Sequence, residues 1–597
     1  MNKFLSVPLV LVLSLNLVAC SKEKPGTAVS EPVVEAPAKP GADLLFTGAK
    51  VYTVNPNQPW AEAVAVKDGK IVYVGDATGA EAQVGSATQR FDLQGKMLLP
   101  GFVAGHEHLI ASGWLSLGVD LVTADSKEEV LRRIKEYADA NPDLPVIRGF
   151  GWNRGSYGGT PTAADLDPII PDRPAFFADA TIHDSWLNSK ALELGGITDE
   201  TPDPMPGFSF WDRDENGKIL GVGIELAWMP AYVAAGAWDA DLLIAQSQER
   251  LYRVSAEKGL TAYINQGLVT PNVKDLSPYQ ADYKAALALL GEQEADNTLQ
   301  LRTFIQYFHK NEKSSLEQLV NNTLELKEKY DSDQLRVTGI KIHPEGVYMT
   351  KTARMLEPFL DDPTSYGERG ISAEGVDAAI LAGNAAGLDV SIHVEGTQTA
   401  RTTIDSILKA RQQYPDMRNS LQHFSMVSTE DIARTIEHKI PANLTPVWAT
   451  TWGDGLGQTL KLVGEERTKN YWQQIKTLVE GGTSVSIAAD VPSTTTEFMG
   501  PLMQCEAAIT RLHPTIPTDI APPMSQALTL EECLYVATMG GAYQARMEDK
   551  IGSLEVGKYA DLIVLDRNLF EIDPADLSEV KVQATMMDGR FTHREGI

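Results

Sequence analysis

Eight short apolar runs, separated by helical spacing or longer connections, constrain this chain more than any other feature of its sequence. In order they are Leu99 to His106, Leu260 to Gln266, Leu301 to Phe308, Val337 to His343, Leu388 to Val394, Ser420 to Phe424, Leu444 to Trp448 and Val485 to Asp490. Parallel strands need a crossover between neighbours and are buried on both faces, so they read as continuous apolar runs separated by helices. The predicted fold class is therefore α/β, a (β/α)8 TIM-like barrel over residues 98–545. A chain of 597 residues that is 43% apolar can bury such a core and a smaller companion domain.

Counting the runs this way leaves residues 111–256 as a large insertion after the first barrel strand. It carries β-like runs of its own at Val146 to Gly151 and Ala175 to Ala180, and is a candidate lid or specificity subdomain. Short strand patterns also crowd both ends, at Leu44, Val51, Val64 and Ile71 and again at Leu562 to Leu565 and Val582 to Met587. Residues 42–97 and 546–597 are expected to combine into one composite β-sandwich domain.

Ahead of residue 42, a basic start at Lys3 and an apolar run from Phe4 to Ala19 read as a signal peptide over residues 1–19, because the run is short for a membrane span. The sequence Leu17-Val18-Ala19-Cys20 resembles a bacterial lipobox, with Cys20 the lipidated residue. Residues 20–41, rich in Pro, Glu, Lys and Ala, read as a disordered tether. The expected location is the bacterial cell envelope, lipid-anchored at the periplasmic side of the outer membrane. A net charge of −28 excludes the basic surface that nucleic acid requires and leaves a small-molecule substrate, with a homo-oligomer left open. Three cysteines, Cys20, Cys505 and Cys533, build neither a disulfide framework nor a Cys-rich zinc site.

Chemistry concentrates at the ends of the runs. Pro100-Gly101-Phe102-Val103-Ala104-Gly105-His106-Glu107-His108 closes in His-x-His, and alternate strand residues share a face, so both imidazoles can point into a barrel mouth. His393, His423 and Asp490 each end another run, where a barrel places its active-site groups. Lys341 lies inside an apolar run, where an ammonium would cost several kcal/mol unless neutralised. Carboxylation to N6-carboxylysine would make it an anionic ligand. The alternatives are a side chain that snorkels to solvent or pairs with Glu345, in which case His343 is a substitute ligand. His183 is a candidate substrate contact from the insertion or a structural residue; His309, His438, His513 and His593 read as ordinary.

These motifs, with Trp186-Leu187-Asn188-Ser189, Gly339-Ile340-Lys341 and the tail Gly552-Ser553-Leu554-Glu555-Val556-Gly557-Lys558-Tyr559-Ala560-Asp561-Leu562, resemble the amidohydrolase superfamily. The resemblance is to the branch called amidohydrolase family 3, which includes the N-substituted formamide deformylases. It implies His106, His108, Lys341, His393, His423 and Asp490 as the metal and catalytic set. One or two divalent ions are implied, zinc by preference, with a carboxylated Lys341 as the bridge where there are two. The implied activity is metal-dependent hydrolysis of a carbon–nitrogen bond other than a peptide bond, through water activated at the metal with Asp490 as proton shuttle. Lactonase or deaminase activity on the same centre, or a non-catalytic binding lipoprotein, are the alternatives. Three departures bear on tuning rather than on the ligand set: Glu395-Gly396-Thr397 where the branch shows Gly-Asp, Gln422 where an acidic residue often stands, and Ala489 before Asp490.

Overall fold

The computed structural model describes residues 41–597 apart from 111, 451–454, 495, 497 and 516–522. The signal peptide, Cys20 and the tether up to residue 40 lie outside the described residues. All eight expected barrel strands form one sheet in sequence order. They are β1 (Phe102–Glu107), β2 (Leu260–Asn265), β3 (Arg302–His309), β4 (Leu335–Ile342), β5 (Asp389–His393), β6 (Ser420–Gln422), β7 (Ala442–Leu444) and β8 (Val485–Ile487). Every pairing between neighbours is parallel. At the remaining seam a Cβ on Gly105 would lie 2.1 Å from the Ser486 hydroxyl, so the missing side chain lets β1 and β8 approach.

The intervening helices begin where short polar side chains cap them. Asp275, Ser315, Ser372 and Ser428 each accept a hydrogen bond from a backbone N–H in the first turn of the following helix. Glycine then ends several of the turns that return the chain to the sheet, as at Gly387, where φ is +71°.

Three expected boundaries shift, and two of them shift at proline. The run from Leu99 to His106 is divided: Met97–Pro100 belongs to a different sheet, and β1 starts at Phe102. Pro100 cannot continue a ladder as a donor, and Gly101 sits where a Cβ would be 2.2 Å from Thr261, so the chain crosses between sheets there. The seventh strand ends at Leu444 rather than continuing to Trp448, because Pro446 opens a 3₁₀ turn, Pro446–Ala449. The eighth stops at Ile487, leaving Ala488, Ala489 and Asp490 on the loop above it.

The insertion folds as a six-stranded sheet that includes Ile147–Trp152, Ala175–Asp179, Asp184–Leu187 and Ile219–Ile224. It ends near Asp239, earlier than residue 256, because the helix Ala240–Glu257 packs on β2 and on the helix Leu276–Ala295 as part of the barrel's outer ring. The two chain ends meet as expected in composition: Leu562–Leu565 pairs antiparallel with Met97–Pro100 in a six-stranded sheet, and a four-stranded sheet from residues 44–92 completes the companion layer. Between the sheets Phe46, Val64, Leu98, Leu562 and Met586 form a common core.

Cys505 and Cys533 are joined by a disulfide, a single pair rather than a framework. A count rules out a framework but cannot show that two helices, Pro501–Thr510 and Leu530–Tyr535, bring a single pair together.

Candidate metal centre

The period-2 argument holds at β1: His106 and His108 are both buried and face the same end of the barrel, while Glu107 points the other way. Glu107 accepts hydrogen bonds from the N–H groups of Ala489 (2.8 Å) and Val491 (2.7 Å), tying the loop above β8 to β1. That loop carries Asp490, with φ at +56°, a left-handed conformation unusual for a residue with a side chain. The carboxylate Oδ1 of Asp490 consequently stands 3.3 Å from His106 Nε2 and 3.4 Å from His108 Nε2. His423, φ +67°, is turned inward in the same way beyond the end of β6.

Hydrogen bonds on the far side of each ring fix which nitrogen faces inward. His106 Nδ1 lies 2.9 Å from Gln422 Oε1 and His108 Nδ1 lies 2.9 Å from the Gly267 carbonyl, so each donates through Nδ1 and presents the Nε2 lone pair to the centre. Gln422, a departure from the family pattern, thus orients His106 as a carboxylate would. His393 is reversed: Nε2 lies 3.0 Å from the Gly346 carbonyl and Nδ1 is free. Its ring stacks on His343 at 4.0 Å and meets His423 at 4.4 Å, while His423 meets His106 at 4.4 Å.

Lys341 neither snorkels nor pairs with Glu345. It is 1% exposed, and its Nζ lies 3.5 Å from His106 Nε2. Glu345 is engaged elsewhere, accepting from the N–H groups of Arg354, Glu395 and Gly396 and from the Thr399 hydroxyl. Burial drives the Lys341 ammonium well below its ordinary range despite the nearby Asp490 carboxylate, which favours the neutral amine. Burial, reinforced by cationic neighbours, likewise holds His106, His343, His393 and His423 well below the usual imidazole range. Neutral imidazoles are the form that binds metal.

A divalent metal fits these residues. His106, His108 and Asp490 bring one ligand atom each within 4.8 Å of one another. Asp490 Oδ1 and the Nδ1 atoms of His343, His393 and His423 are buried without a hydrogen-bond partner. Buried polar atoms are almost always satisfied, and four of them converging on one space are the signature of a ligand site.

The space is a cavity of about 240 Å³, bounded on one side by these residues and on the other by the insertion. His183, on the turn Asp179 to Asp184, lines it, with its ring 6.1 Å from that of His343. Two lining residues were missed in the sequence, Glu225 and Lys310. Glu225 accepts from His183 Nδ1 (2.7 Å) and from Lys310 Nζ (2.8 Å). The signal that pointed to Asp490, a charged residue ending an apolar run, was present at both: Gly223-Ile224-Glu225 and Phe308-His309-Lys310. His309 is buried off the cavity, and His438, His513 and His593 do not line it.

The chain matches the amidohydrolase family over residues 89–593. It is 26% identical to the N-substituted formamide deformylase of Arthrobacter pascens over 558 residues, covering 92% of this chain and 97% of that one. It is also 25% identical to Protein LONG AFTER FAR-RED 3 of Arabidopsis thaliana over 560 residues, 93% and 92% of the two chains. Among solved structures, an uncharacterized metal-dependent hydrolase from Pyrococcus furiosus superposes with a TM-score of 0.65 at 25% identity, over 89% of this chain and 99% of that one. With a family match over most of its length and an eight-stranded parallel barrel whose strand ends gather a metal-ligand cluster, the chain belongs to the amidohydrolase family and is a hydrolase.

Proposed function

We propose that the protein hydrolyses a carbon–nitrogen bond other than a peptide bond, an amide, N-acyl group or cyclic amide, with Asp490 as the proton shuttle. The observation that carries this reading is the convergence of His106, His108 and Asp490 on one point, with buried ligand atoms left unpartnered around it. His106, His108, Lys341, His393, His423 and Asp490 would hold one or two divalent ions, Lys341 after its neutral amine adds to CO₂, forming an N–C bond and releasing one proton. When bound, a divalent ion such as zinc supplies Lewis acidity, lowering the pKa of water and polarising a carbonyl.

The remaining chemistry belongs to the chain. Asp490 Oδ1 lies at the meeting point of both β1 histidines, where it can accept a proton from attacking water and deliver it to the departing nitrogen. Gln422 and the Gly267 carbonyl keep His106 and His108 in one tautomer throughout. Glu107 holds the Asp490 loop at its fixed distance from β1, although burial pushes its own carboxyl up to about 8 against the pull of the two N–H groups. His183 faces the site from the insertion as a substrate contact.

The N-terminal segment is proposed to be a signal peptide with a lipid anchor at Cys20, placing the enzyme in the bacterial envelope. A disulfide between Cys505 and Cys533 is compatible with an oxidising compartment. No described helix is long and apolar enough to cross a membrane.

Metal analysis of the purified protein tests the central claim, with intact mass measured for a carboxyl adduct. Bound divalent metal that is lost in His106→Ala, together with hydrolysis of an amide panel, is the expected result. Absence of metal after reconstitution with zinc and bicarbonate would refute it.

A further inference from the structure

Among the described residues, four that are not glycine line the cavity with left-handed backbone: Ile182 (φ +64°), Glu225 (+53°), His423 (+67°) and Asp490 (+56°). Few residues with a side chain adopt that conformation, and it persists only where the surroundings impose it. At three of the four the side chain carries a polar group of the site: a carboxylate between His183 and Lys310, an imidazole against His106, and the Asp490 carboxylate. Ile182 is the fourth, and its side chain is only hydrocarbon. Its branch at Cβ makes it the most strained of the set, at a position where glycine or asparagine would sit at less cost.

Ile182 stands at the tip of the hairpin made by the antiparallel insertion strands Ala175–Asp179 and Asp184–Leu187. All four residues of that tip, Ala180, Thr181, Ile182 and His183, line the cavity. The tip is held without help from the Ile182 side chain. The Asp179 carboxylate accepts from the Thr181 N–H (3.1 Å), the Thr181 hydroxyl (2.6 Å) and the Asp184 N–H (2.9 Å), and the Asp179 carbonyl accepts from the Ile182 N–H (3.1 Å). The polar groups nearby are engaged with one another: Glu225 accepts from His183 and Lys310, and Glu395 accepts from the Ser425 hydroxyl. What Ile182 adds is bulk and apolar surface, in a lining it shares with Leu226, Met229, Val269, Val273 and Phe308. It is partly buried and packs against the main apolar core, so that bulk is held in place.

We propose that Ile182 is a specificity-determining residue that contacts an apolar substituent of the substrate and limits its length, so that the preferred substrates are amides carrying a short, uncharged hydrocarbon group. This rests on the hydrolase reading above and names its substrate class. The strain at Ile182 then has the same origin as that at His423 and Asp490: a side chain aimed into the substrate space by a backbone that would otherwise avoid the conformation.

The test uses metal chelators of graded length on the zinc-loaded protein, with metal content measured on the same samples. Two series are titrated by calorimetry, linear alkyl hydroxamates with the chain on the carbonyl carbon and N-alkyl-N-hydroxyformamides with it on nitrogen. In the wild type, affinity should rise about fourfold per methylene, the scale of one buried CH₂, and then stop rising in at least one series. In Ile182→Gly the rise should continue for about two more carbons, so that homologues just beyond the wild-type limit bind roughly 10-fold more tightly than they do to the wild type. Ile182→Val, which keeps the branch and removes a single carbon, should move the limit by about one carbon and serves where the glycine variant folds poorly. A length limit that is absent, or the same in all three proteins, would overturn the proposal, as would failure of the metal-loaded protein to bind either series. So would an equal change on short and long homologues, since a disturbed hairpin tip would act on both alike. Protein that holds no metal after reconstitution would instead refute the hydrolytic reading, and the proposal with it.

Discussion

The two ends of the barrel treat buried polar groups in opposite ways. At the start of β3, Arg302 donates from Nε and Nη2 to both oxygens of Asp561, at 2.6 and 3.0 Å, and from Nη1 to the Asp333 carbonyl. At the start of β5, Asp389 receives a two-pronged contact from Arg546 at 2.6 and 2.8 Å. At the opposite end, the ends of β4, β5, β6 and β8 leave His343, His393, His423 and Asp490 with partnerless atoms. One end satisfies its charges within the protein and contributes to the fold; the other keeps unsatisfied groups in place for something to be bound. Barrel enzymes separate stability and chemistry in this way, and here the separation can be read atom by atom.

The comparison breaks most sharply at Asp490. Asp490→Asn should lower kcat by about 10³-fold or more while the melting temperature of the metal-free protein stays nearly unchanged, because the change removes a proton carrier and a metal ligand but not packing. A rate within tenfold of wild type would remove the shuttle assignment. Arg302→Met at the other end should do the reverse, costing about 3–5 kcal/mol of stability by leaving Asp561 buried and unpaired, with kcat per folded molecule retained. Denaturant melts paired with active-site titration measure both quantities.

A third change strengthens neither end directly. Replacing both Cys505 and Cys533 by serine, which opens a link across 28 residues, should cost about 3 kcal/mol, read as a lower denaturation midpoint under oxidising conditions only. Metal chelation should then lower the melting temperature of the wild type but leave His106→Ala where it was, an effect of about 2.7 kcal/mol when metal is a hundredfold above its Kd. The smallest effect is expected from acid. Burial raises the Glu225 carboxyl, but His183 and Lys310 outweigh it and hold the group at about 2, below its ordinary 4.5. Its folded-state value is depressed, so its stabilisation is complete above pH 4.5 and is lost as pH falls toward 2. Glu225→Gln should flatten that part of the pH–stability curve, and an unchanged acid limb would show that the ion pair contributes nothing to folding.

Much of the barrel was legible because most of its strands are buried on both faces, so Phe102–Glu107 or Asp389–His393 stand out without any alternation to interpret. His106, His108, Asp490, His393 and His423 were legible for a related reason: each is a polar residue ending an apolar run. The boundaries at Pro100 and Pro446 were not, since apolar content continues through a proline while the hydrogen-bond ladder does not. The Gln422 contact to His106 joins residues 316 apart in the chain. Nothing local marks it, and an amide in place of an acid looked like a loss until its geometry was seen. Glu225 and Lys310 obeyed the same end-of-run rule as Asp490, but each belongs to a cluster assembled from three separate segments, and a charge at a strand end is more often solvated.

The pairing of Met97–Pro100 with Leu562–Leu565 also bears on how the molecule comes into being. Met97–Pro100 finds Lys50–Tyr52 on one side early in synthesis, but its other edge waits for Leu562–Leu565, so this sheet cannot close until that distant segment has been made. Its strand edges remain open in the interim, a state vulnerable to aggregation. Such an architecture favours a nascent chain that is sheltered, and it makes the arrival of Leu562–Leu565 and Val582–Met587 the step that seals the sheet.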